Sequence, residues 1–403
     1  MKNIQRDFPL LKRKYQGKHI CYFDNAATAP KPEVVISAVD LFYTAHTSNV
    51  HRGPNFLEEE ATGLYEQARS NVAGFINCEP EEIVFTSGAT AAFNLVVRSW
   101  GEINLSSGDA VAILVAEHHA NIVPWLQLKE KKGIEVIYIK IKKDGTIDEV
   151  SLKKALDHSQ LKMLSLTLAS NVLGQVYDLK DIFALAKKKG VITMADASQL
   201  ISHRPIDVKE LGCDFLAFSG HKLFAPSGIG VLYGRKELLK TMPPFLSGGG
   251  MIADVRAQSF VPGEAPYKFE AGTPNIEGAI GLGAAINYIK SLGWKYIEKR
   301  EAELVAYFMD NLVGVPFARL IGGNSARLPL FSLSLDGIHP HDVADMLGEK
   351  GIIVRAGHHC AQPLHDFLGV PASLRISLAF YNTEEEVDRF FAALSEIHKL
   401  FTE

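Results

Sequence analysis

A lysine at the end of an apolar run is the first residue whose position suggests chemistry. Residues 219–222 read Ser-Gly-His-Lys, follow the apolar residues 215–218, and precede a stretch of small residues. An amine at the end of a buried strand is partly desolvated, which lowers its pKa and lets it attack a carbonyl to form a Schiff base. The alternative is that Lys222 simply extends to solvent along the surface.

A carboxylate follows a second apolar run. Asp196 comes directly after residues 191–195, and ligands of parallel sheets gather at the carboxyl ends of the strands. An aspartate that keeps a pyridine nitrogen protonated makes pyridoxal 5′-phosphate (PLP) an electron sink. Lys222 and Asp196 together therefore suggest a PLP site, whereas Asp196 alone could equally cap the next helix.

Two further segments could complete such a site. Residues 86–90 (Thr-Ser-Gly-Ala-Thr) separate an apolar run from a helical pattern, which suits a phosphate but is also typical of a plain strand–turn–helix junction. His118 follows the apolar residues 110–115 and would lie at the same sheet edge as Lys222 and Asp196. An imidazole there could stack on a ring and move protons near neutral pH, although a lone histidine is usually structural.

Among the four cysteines, only Cys360 has a polar, histidine-rich setting. Residues 355–363 read Arg-Ala-Gly-His-His-Cys-Ala-Gln-Pro, and nearby imidazoles and an arginine could stabilise the nucleophilic thiolate. One alternative is metal binding by His358, His359, Cys360 and His365, although their spacing is poor for a metal. An idle thiol in a surface loop is the other alternative.

The elements that must position these residues are predicted from hydrophobic periodicity. Apolar runs alternate with helical patterns between about residues 82 and 234, which indicates an α/β fold with a mostly parallel sheet flanked by helices. A helix at 181–189 completes one βαβ unit. The strands expected in this sheet are residues 110–115, 134–141, 163–168, 191–195, 215–218 and 229–233.

After about residue 285 the pattern changes to α+β, with strands expected near residues 331–335, 352–355 and 374–379. Thr383 and Glu386 form a capping box at the start of the last helix. The predicted domains are a segment 1–25 that joins the small domain, a large domain 26–285, and a small domain 286–403 that carries Cys360. The Gly- and Pro-rich residues 242–266 form either an ordered excursion or a flexible loop.

Composition excludes several classes of protein. The 403 residues carry a net charge of −4 and have no basic stripe, which argues against nucleic acid as a partner. Residues 1–14 lack the long apolar core expected of a signal peptide, no apolar run of this sequence reaches membrane length, and the four scattered cysteines include no CxxC pair. We therefore expect a cytoplasmic protein in a reducing compartment.

Taken together, these motifs resemble those of the SufS-like, type II cysteine desulfurases. The resemblance covers almost the whole chain and includes residues 22–28, 49–53, 117–125, 269–275 and 381–383. It implies the aspartate aminotransferase-like, type I PLP fold and a homodimer with composite active sites. It also implies conversion of L-cysteine into L-alanine with a persulfide on Cys360, which passes to a SufE- or SufU-like acceptor protein for iron–sulfur cluster assembly.

The resemblance also implies roles for individual residues. Lys222 would hold PLP and act in catalysis with Cys360. Asp196 would bind the pyridine nitrogen, Gln199 the phenolic oxygen, and His118 would stack on the ring. The remaining residues that it assigns to the cofactor are Ala89, Thr90, Ser219, His221 and Asn171, with Thr273 from the other subunit. Those that it assigns to the substrate are Arg375, Arg355, Asn171, His51 and Asn25.

Four positions depart from the pattern of that group. Ala91 stands where a glutamate is usual, which bears on dimer contacts and on control of sulfur transfer, and Leu168, Ala197 and Ala225 also differ. The alternatives are another PLP enzyme, such as an aminotransferase, an epimerase or a selenocysteine lyase, or a non-catalytic scaffold. Cys360 argues against the first two enzymes, because transamination and racemisation need no second nucleophile.

Overall fold

The computed structural model describes residues 4–51, 53–323 and 326–402; Arg52, within one of the motifs above, lies outside them. No helix in this part of the chain is long and apolar enough to cross a membrane.

A π-helical segment, Val96–Gly101, continues the third helix. The helices are α1 (Glu33–Ala45), α2 (Phe56–Ile76), α3 (Ala89–Leu95), α4 (Glu102–Asn104), α5 (Val123–Lys132), α6 (Glu149–Leu156), α7 (Lys180–Lys188), α8 (Val208–Leu211), α9 (Lys236–Thr241), α10 (Ile276–Leu292), α11 (Trp294–Val313), α12 (Pro340–Glu349), α13 (Gln362–Leu368) and α14 (Glu384–Thr402).

The strands range from two to seven residues in length. In chain order they are β1 (Lys14–Tyr15), β2 (Lys18–His19), β3 (Cys21–Tyr22), β4 (Ile83–Thr86), β5 (Ala110–Leu114), β6 (Glu135–Ile139), β7 (Leu161–Thr167), β8 (Ile192–Asp196), β9 (Phe215–Ser219), β10 (Gly230–Gly234), β11 (Ile252–Arg256), β12 (Ser259–Pro262), β13 (Ala318–Leu320), β14 (Leu330–Leu335), β15 (Ile352–Ile353), β16 (Arg355–Gly357) and β17 (Ser373–Ser377).

A seven-stranded sheet organises the larger part of the molecule, in the order β4-β10-β9-β8-β7-β5-β6. Strand β10 is antiparallel to both neighbours, and β9, β8, β7, β5 and β6 are parallel. The prediction of an α/β fold with a mostly parallel sheet is therefore confirmed. The helix predicted at 181–189 is α7, one residue earlier.

Both faces of this sheet are buried, which explains why its strands are continuous apolar runs. Along β5, Ala112 and Leu114 belong to one hydrophobic cluster, whereas Val111 and Ile113 belong to another. Successive side chains of a strand point to opposite faces, so the two clusters lie on the two sides of the sheet. The sheet is thereby held rigidly, and the residues at its strand ends are held with it.

A four-stranded antiparallel sheet, β13-β14-β17-β16, forms the second part with α11, α12 and α14. Its own cluster contains Phe308, whose ring stacks on Phe331 at 3.8 Å. The predicted capping box is present, because Thr383 N–H donates to Glu386 and Glu386 N–H donates to the Thr383 hydroxyl. The domain boundaries themselves stay a prediction.

The single strand expected near residues 352–355 is instead two short strands, β15 and β16. Ile352 and Ile353 pair in parallel with Cys21 and Tyr22, whereas β16 pairs with β17 in the other sheet. The chain changes sheets between these two short strands, because their partners belong to different sheets. The Gly- and Pro-rich residues 242–266 include the exposed hairpin β11–β12, which favours the ordered of the two alternatives.

Candidate active site

A cavity of about 150 Å³ lies where the carboxyl ends of β5, β7, β8 and β9 face β16 and β17. Most of the side chains expected at the site meet there, as do several neighbours. The lining residues are Ala26, Ala27, Ala89, Thr90, His118, Ala120, Thr167, Ala169, Asn171, Asp196, Ser198, Gln199, Ser219, His221, Lys222, Arg355, His359, Cys360 and Arg375.

Lys222 lies in a short 3-10 turn directly after β9. Its side chain lines the cavity instead of extending along the outer surface. Burial lowers the pKa of Lys222 to about 8, and the Asp196 carboxylate opposes that shift. A substantial fraction of this amine is therefore neutral, and able to act as a base or nucleophile, in mildly alkaline solution.

Asp196 ends β8 and is buried beside the cavity. One carboxylate oxygen accepts a hydrogen bond of 2.9 Å from Ser198 N–H, and turns rather than a helix follow, so the helix-cap alternative is not realised. Burial raises the pKa of Asp196, although the hydrogen bonds from Ser198 and the positive charge of Lys222 act in the opposite direction. Gln199 lies in the same turn and donates to the Ala26 carbonyl.

His118 follows β5 and its ring lines the cavity. Nδ1 accepts a hydrogen bond of 3.0 Å from Ala120 N–H, so the proton of the neutral ring is on Nε2. Burial and the positive charge of Lys222 lower the pKa of His118 to about 3. The imidazole is therefore neutral at physiological pH and has an apolar ring face available for stacking.

The segment between β4 and α3 approaches the cavity closely because its neighbours are small. Ala89 N–H donates to the Ser219 hydroxyl at 2.8 Å. A Cβ atom on Gly230 would lie 2.4 Å from the Cα of Gly88, so only glycine permits this approach. Small residues and the start of α3 together form a cradle whose N–H groups suit a phosphate.

Cys360 is exposed and lies in the turn after β16, at the rim of the cavity. Behind it, His359 and His365 both contact the buried hydroxyl of Ser373 through Nε2 at 3.0 Å. His365 Nδ1–H donates to the Ala361 carbonyl, so its Nε2 accepts from the hydroxyl, and His359 Nε2–H donates to Ser373.

This histidine pair weighs against the metal-site alternative. Both Nε2 atoms are engaged by Ser373, and burial with the charge of Arg375 lowers the pKa of His359 to about 2. Within the described ranges, no group of three or more His, Cys, Asp or Glu side chains could hold a metal ion. The geometry instead indicates a structural support beneath Cys360.

Arg375 is buried in β17, opposite Arg355 in the register of β16. Its Nη1 donates to the Asn171 carbonyl at 3.0 Å and its Nη2 to Asp24 at 3.1 Å, while Nε has no hydrogen-bond partner among the residues that the structure describes. Burial lowers the pKa of Arg375, and the negative charge of the Asp24 carboxylate partly offsets that shift. Two guanidinium groups at one wall of the cavity favour an anion such as a substrate carboxylate.

Three of the expected residues do not line the cavity. Asn25 is hydrogen-bonded to the Ser377 carbonyl and to the Tyr381 hydroxyl. His51 contacts Glu66 at 3.0 Å in a separate cluster, and Thr273 lies outside the cavity of its own chain. Asn171 does line the cavity, but its side-chain amide donates to the His359 carbonyl at 2.6 Å.

The positions that depart from the expected pattern lie outside the cavity. Leu168, Ala197 and Ala225 are buried, and Ala91 borders a separate apolar pocket that includes Phe245 and Leu246. None of these four side chains is among the residues that line the cavity.

Sequence reasoning missed Glu117, a fully buried carboxyl group just before His118. It accepts hydrogen bonds from Thr167 N–H at 2.7 Å and from the Asn121 amide at 2.8 Å. Asn121 in turn accepts from Ser165 and Trp125. The signal was a charged residue after an apolar run, followed at i+4 by Asn121 and at i+8 by Trp125.

Comparison with known proteins gives a family match. The family model described as aminotransferase class-V matches residues 21–390. A probable cysteine desulfurase of Xylella fastidiosa (strain 9a5c) is 44% identical over 98% of this chain and 95% of its own. A cysteine desulfurase of Salmonella agona (strain SL483) is 45% identical over 99% of this chain and 98% of its own.

Solved structures agree with the sequence relatives. An apo structure of a cysteine desulfurase from Thermococcus onnurineus NA1 superposes with a TM-score of 0.94 at 38% identity, covering 99% of this chain and 98% of the other. The cysteine desulfurase CsdA from Escherichia coli gives a TM-score of 0.90 at 38% identity with the same coverage. The fold is thus that of the type I PLP enzymes, as expected.

Proposed function

This chain belongs to the aminotransferase class-V family and is a cysteine desulfurase, and we propose that Lys222 and Cys360 are the two reactive groups of its active site. The observation that supports this assignment is their meeting at one cavity. The desolvated amine of Lys222 lies at the end of the parallel sheet, and the exposed thiol of Cys360 lies on the opposite wall of the cavity. Converting L-cysteine into L-alanine requires both a base and a second sulfur nucleophile.

We propose that PLP, the cofactor of this family, binds between these groups. Lys222 would hold it, Asp196 would face its pyridine nitrogen, Gln199 its phenolic oxygen, and His118 would stack on its ring. The phosphate would lie in the cradle formed by Ala89, Thr90, Ser219 and His221. The buried carboxylate and the close approach of Gly88 to Gly230 fit such a group. When bound, PLP supplies an electron sink for negative charge at the substrate Cα.

The remaining side chains then have defined tasks. Arg375 binds the substrate carboxylate through the donor capacity that its protein contacts leave unused, and Arg355 adds positive charge at the same wall. This contact fixes the substrate relative to Lys222. The neutral amine of Lys222 removes the proton from the substrate Cα and later returns a proton to the same carbon.

Cys360 performs the sulfur transfer. Its thiolate attacks the substrate sulfur, so a sulfur–sulfur bond forms while the carbon–sulfur bond of the substrate breaks. The electron pair of the broken bond stays on the carbon skeleton, and protonation there completes L-alanine. Cys360 retains the persulfide, and its exposed position at the cavity rim supports transfer to a SufE- or SufU-like acceptor protein that serves iron–sulfur cluster assembly.

We also propose a homodimer. His51 and Thr273 do not line the cavity of their own chain, and exposed apolar side chains of α1 and the β11–β12 hairpin, such as Tyr43 and Phe260, offer a surface for a second copy. Sedimentation of the full chain tests this, because Phe260→Ser should weaken a dimer. The cytoplasmic location stays a prediction.

The assignment of the two reactive groups is tested by measuring alanine, sulfide and protein-bound sulfur from L-cysteine. Lys222→Ala should form no alanine and should lose the visible absorbance of covalently bound PLP. Cys360→Ala should form no persulfide detectable by protein mass. Cys78→Ala is the control, because it removes a buried thiol outside the cavity and should behave as wild type. Sulfide release by Cys360→Ala at the wild-type rate would contradict the proposed nucleophile.

A further inference from the structure

The backbone around Cys360 has an unusual conformation. His359 has φ 53° and Cys360 has φ 57°, so two consecutive residues other than glycine lie in the left-handed region. Such residues are sterically disfavoured there, and the conformation persists only where surrounding contacts enforce it. Contacts from the surrounding structure must therefore hold this turn.

Those contacts come largely from one residue of the larger sheet region. The backbone N–H of His119 donates to the Cys360 carbonyl at 2.8 Å, and its ring Nε2 accepts from Gln362 N–H at 3.1 Å. His119 thus binds the two peptide groups on either side of Ala361, the residue that follows Cys360. Asn171 adds a bond to the His359 carbonyl, one residue earlier.

We propose that His119 is a positioning residue that holds the left-handed turn at Cys360 and thereby directs the thiol into the cavity. This inference rests on the proposed role of Cys360 as nucleophile. His119 itself does not line the cavity and reaches the reacting sulfur only through the backbone.

The acceptor role of the ring explains why a histidine can serve here. Accepting at Nε2 requires the neutral tautomer with its proton on Nδ1. Burial and the neighbouring His358 lower the pKa of His119, which maintains that neutral form. The backbone N–H bond survives any side-chain replacement, so the ring acceptor is the part that substitution can test.

Two amide replacements form a matched pair. In His119→Gln, the amide oxygen is as many bonds from Cα as Nε2 is, so it can accept from Gln362 N–H. In His119→Asn, the oxygen corresponds to Nδ1 and falls short of that donor. Both variants are neutral and keep the backbone bond to Cys360, so they differ in reach alone.

The full-length chain is tested in two ways. The first is the rate at which iodoacetamide alkylates Cys360, located by peptide mass, and the second is kcat and KM for alanine formation. We expect His119→Asn to be alkylated several-fold faster and to lose roughly tenfold in kcat with little change in KM, because the thiol is misplaced while the substrate site is intact. His119→Gln should keep both properties near wild type.

The outcomes that overturn the proposal are specific. Wild-type kcat and alkylation in His119→Asn would exclude a positioning role, and equal losses in the Asn and Gln variants would show that the ring acceptor is not the cause. If His119→Asn fails to fold, Gln362→Pro removes the same hydrogen bond from the donor side at the first residue of α13, where proline is tolerated. Wild-type kcat in that variant would likewise refute the proposal.

The two proposals can fail separately. If Cys360 is not the nucleophile, Cys360→Ala retains turnover, while His119→Asn still changes the alkylation rate of the thiol. If Cys360 is the nucleophile and His119 does not position it, Cys360→Ala loses turnover and His119→Asn changes neither measurement.

Discussion

The two walls of the cavity achieve precision by different means. On the lysine wall, Lys222, Asp196 and His118 lie at or just after the ends of strands in a sheet buried on both faces, so packing fixes their positions. On the cysteine wall, Cys360 is exposed and follows a three-residue strand, and long-range hydrogen bonds hold its turn. Packing tolerates small losses spread over many contacts, whereas a turn held by a few bonds responds to the loss of one.

The largest effect is expected at Arg375, which links the two walls. Arg375→Lys should lower kcat/KM for L-cysteine about 100- to 1000-fold, because an ammonium cannot reproduce a bidentate guanidinium in a buried site. Steady-state alanine formation measures it. Arg327→Lys is the control, since Arg327 is also buried, with an Nε that has no hydrogen-bond partner in the described part of the chain, but lies outside the cavity. An unchanged KM in Arg375→Lys would contradict the proposal that Arg375 binds the substrate carboxylate.

The pKa of Lys222 predicts how PLP capture depends on pH. Only the neutral amine reacts, and its fraction rises as pH increases towards the pKa of about 8. The rate at which the cofactor-free chain captures PLP should therefore rise about tenfold per pH unit below pH 8 and level off above it. Stopped-flow absorbance measures this rate. A continued tenfold rise to pH 10 would mean that the lysine wall does not desolvate the amine.

Substitutions of Glu117 and Asn121 test the lysine wall, because they exchange the donor and the acceptor of one buried hydrogen bond. Glu117→Gln should lower kcat roughly tenfold, because its new amide group meets the amide of Asn121 and two donors then face each other. Adding Asn121→Asp restores an acceptor and should recover most of the activity. Alanine formation by the single and double variants measures both effects. If the double variant is no better than Glu117→Gln, this network does not position His118 and Thr167.

Ser373 should affect stability far more than turnover. Ser373→Ala removes the hydroxyl that joins His359 and His365, and should lower the free energy of unfolding by about 1–3 kcal/mol. Ser332→Ala, on the neighbouring strand, removes a single buried bond to the Val172 carbonyl and should cost about 1 kcal/mol. Urea denaturation compares the two. Equal losses would mean that the histidine pair does not support the cysteine wall.

The same contrast explains what the sequence could predict. Lys222, Asp196 and His118 were identifiable because each follows an apolar run, and parallel strands align their carboxyl ends. The last helix was equally clear, since Thr383 and Glu386 are local signals.

The remaining features depend on pairings between distant segments. The bond from His119 to the Cys360 turn, the register that sets Arg355 beside Arg375, and the change of sheet after Ile353 have no local pattern. Glu117 was visible as a charge after an apolar run, but its partners were not. The roles of His51 and Thr273 stay predictions, because one chain does not bring them to its cavity.

The parallel pairing of β3 with β15 has a consequence for how the chain is made. Cys21 and Phe23 leave the ribosome before Ile352, with which Cys21 pairs, by an interval on the order of tens of seconds at roughly 5–20 residues per second. Both side chains are fully buried in the finished protein, in a cluster that includes Ile352 and Phe390, so their native burial is completed only after that interval. Until then, this segment lacks the strand and the core residues that cover it in the folded protein.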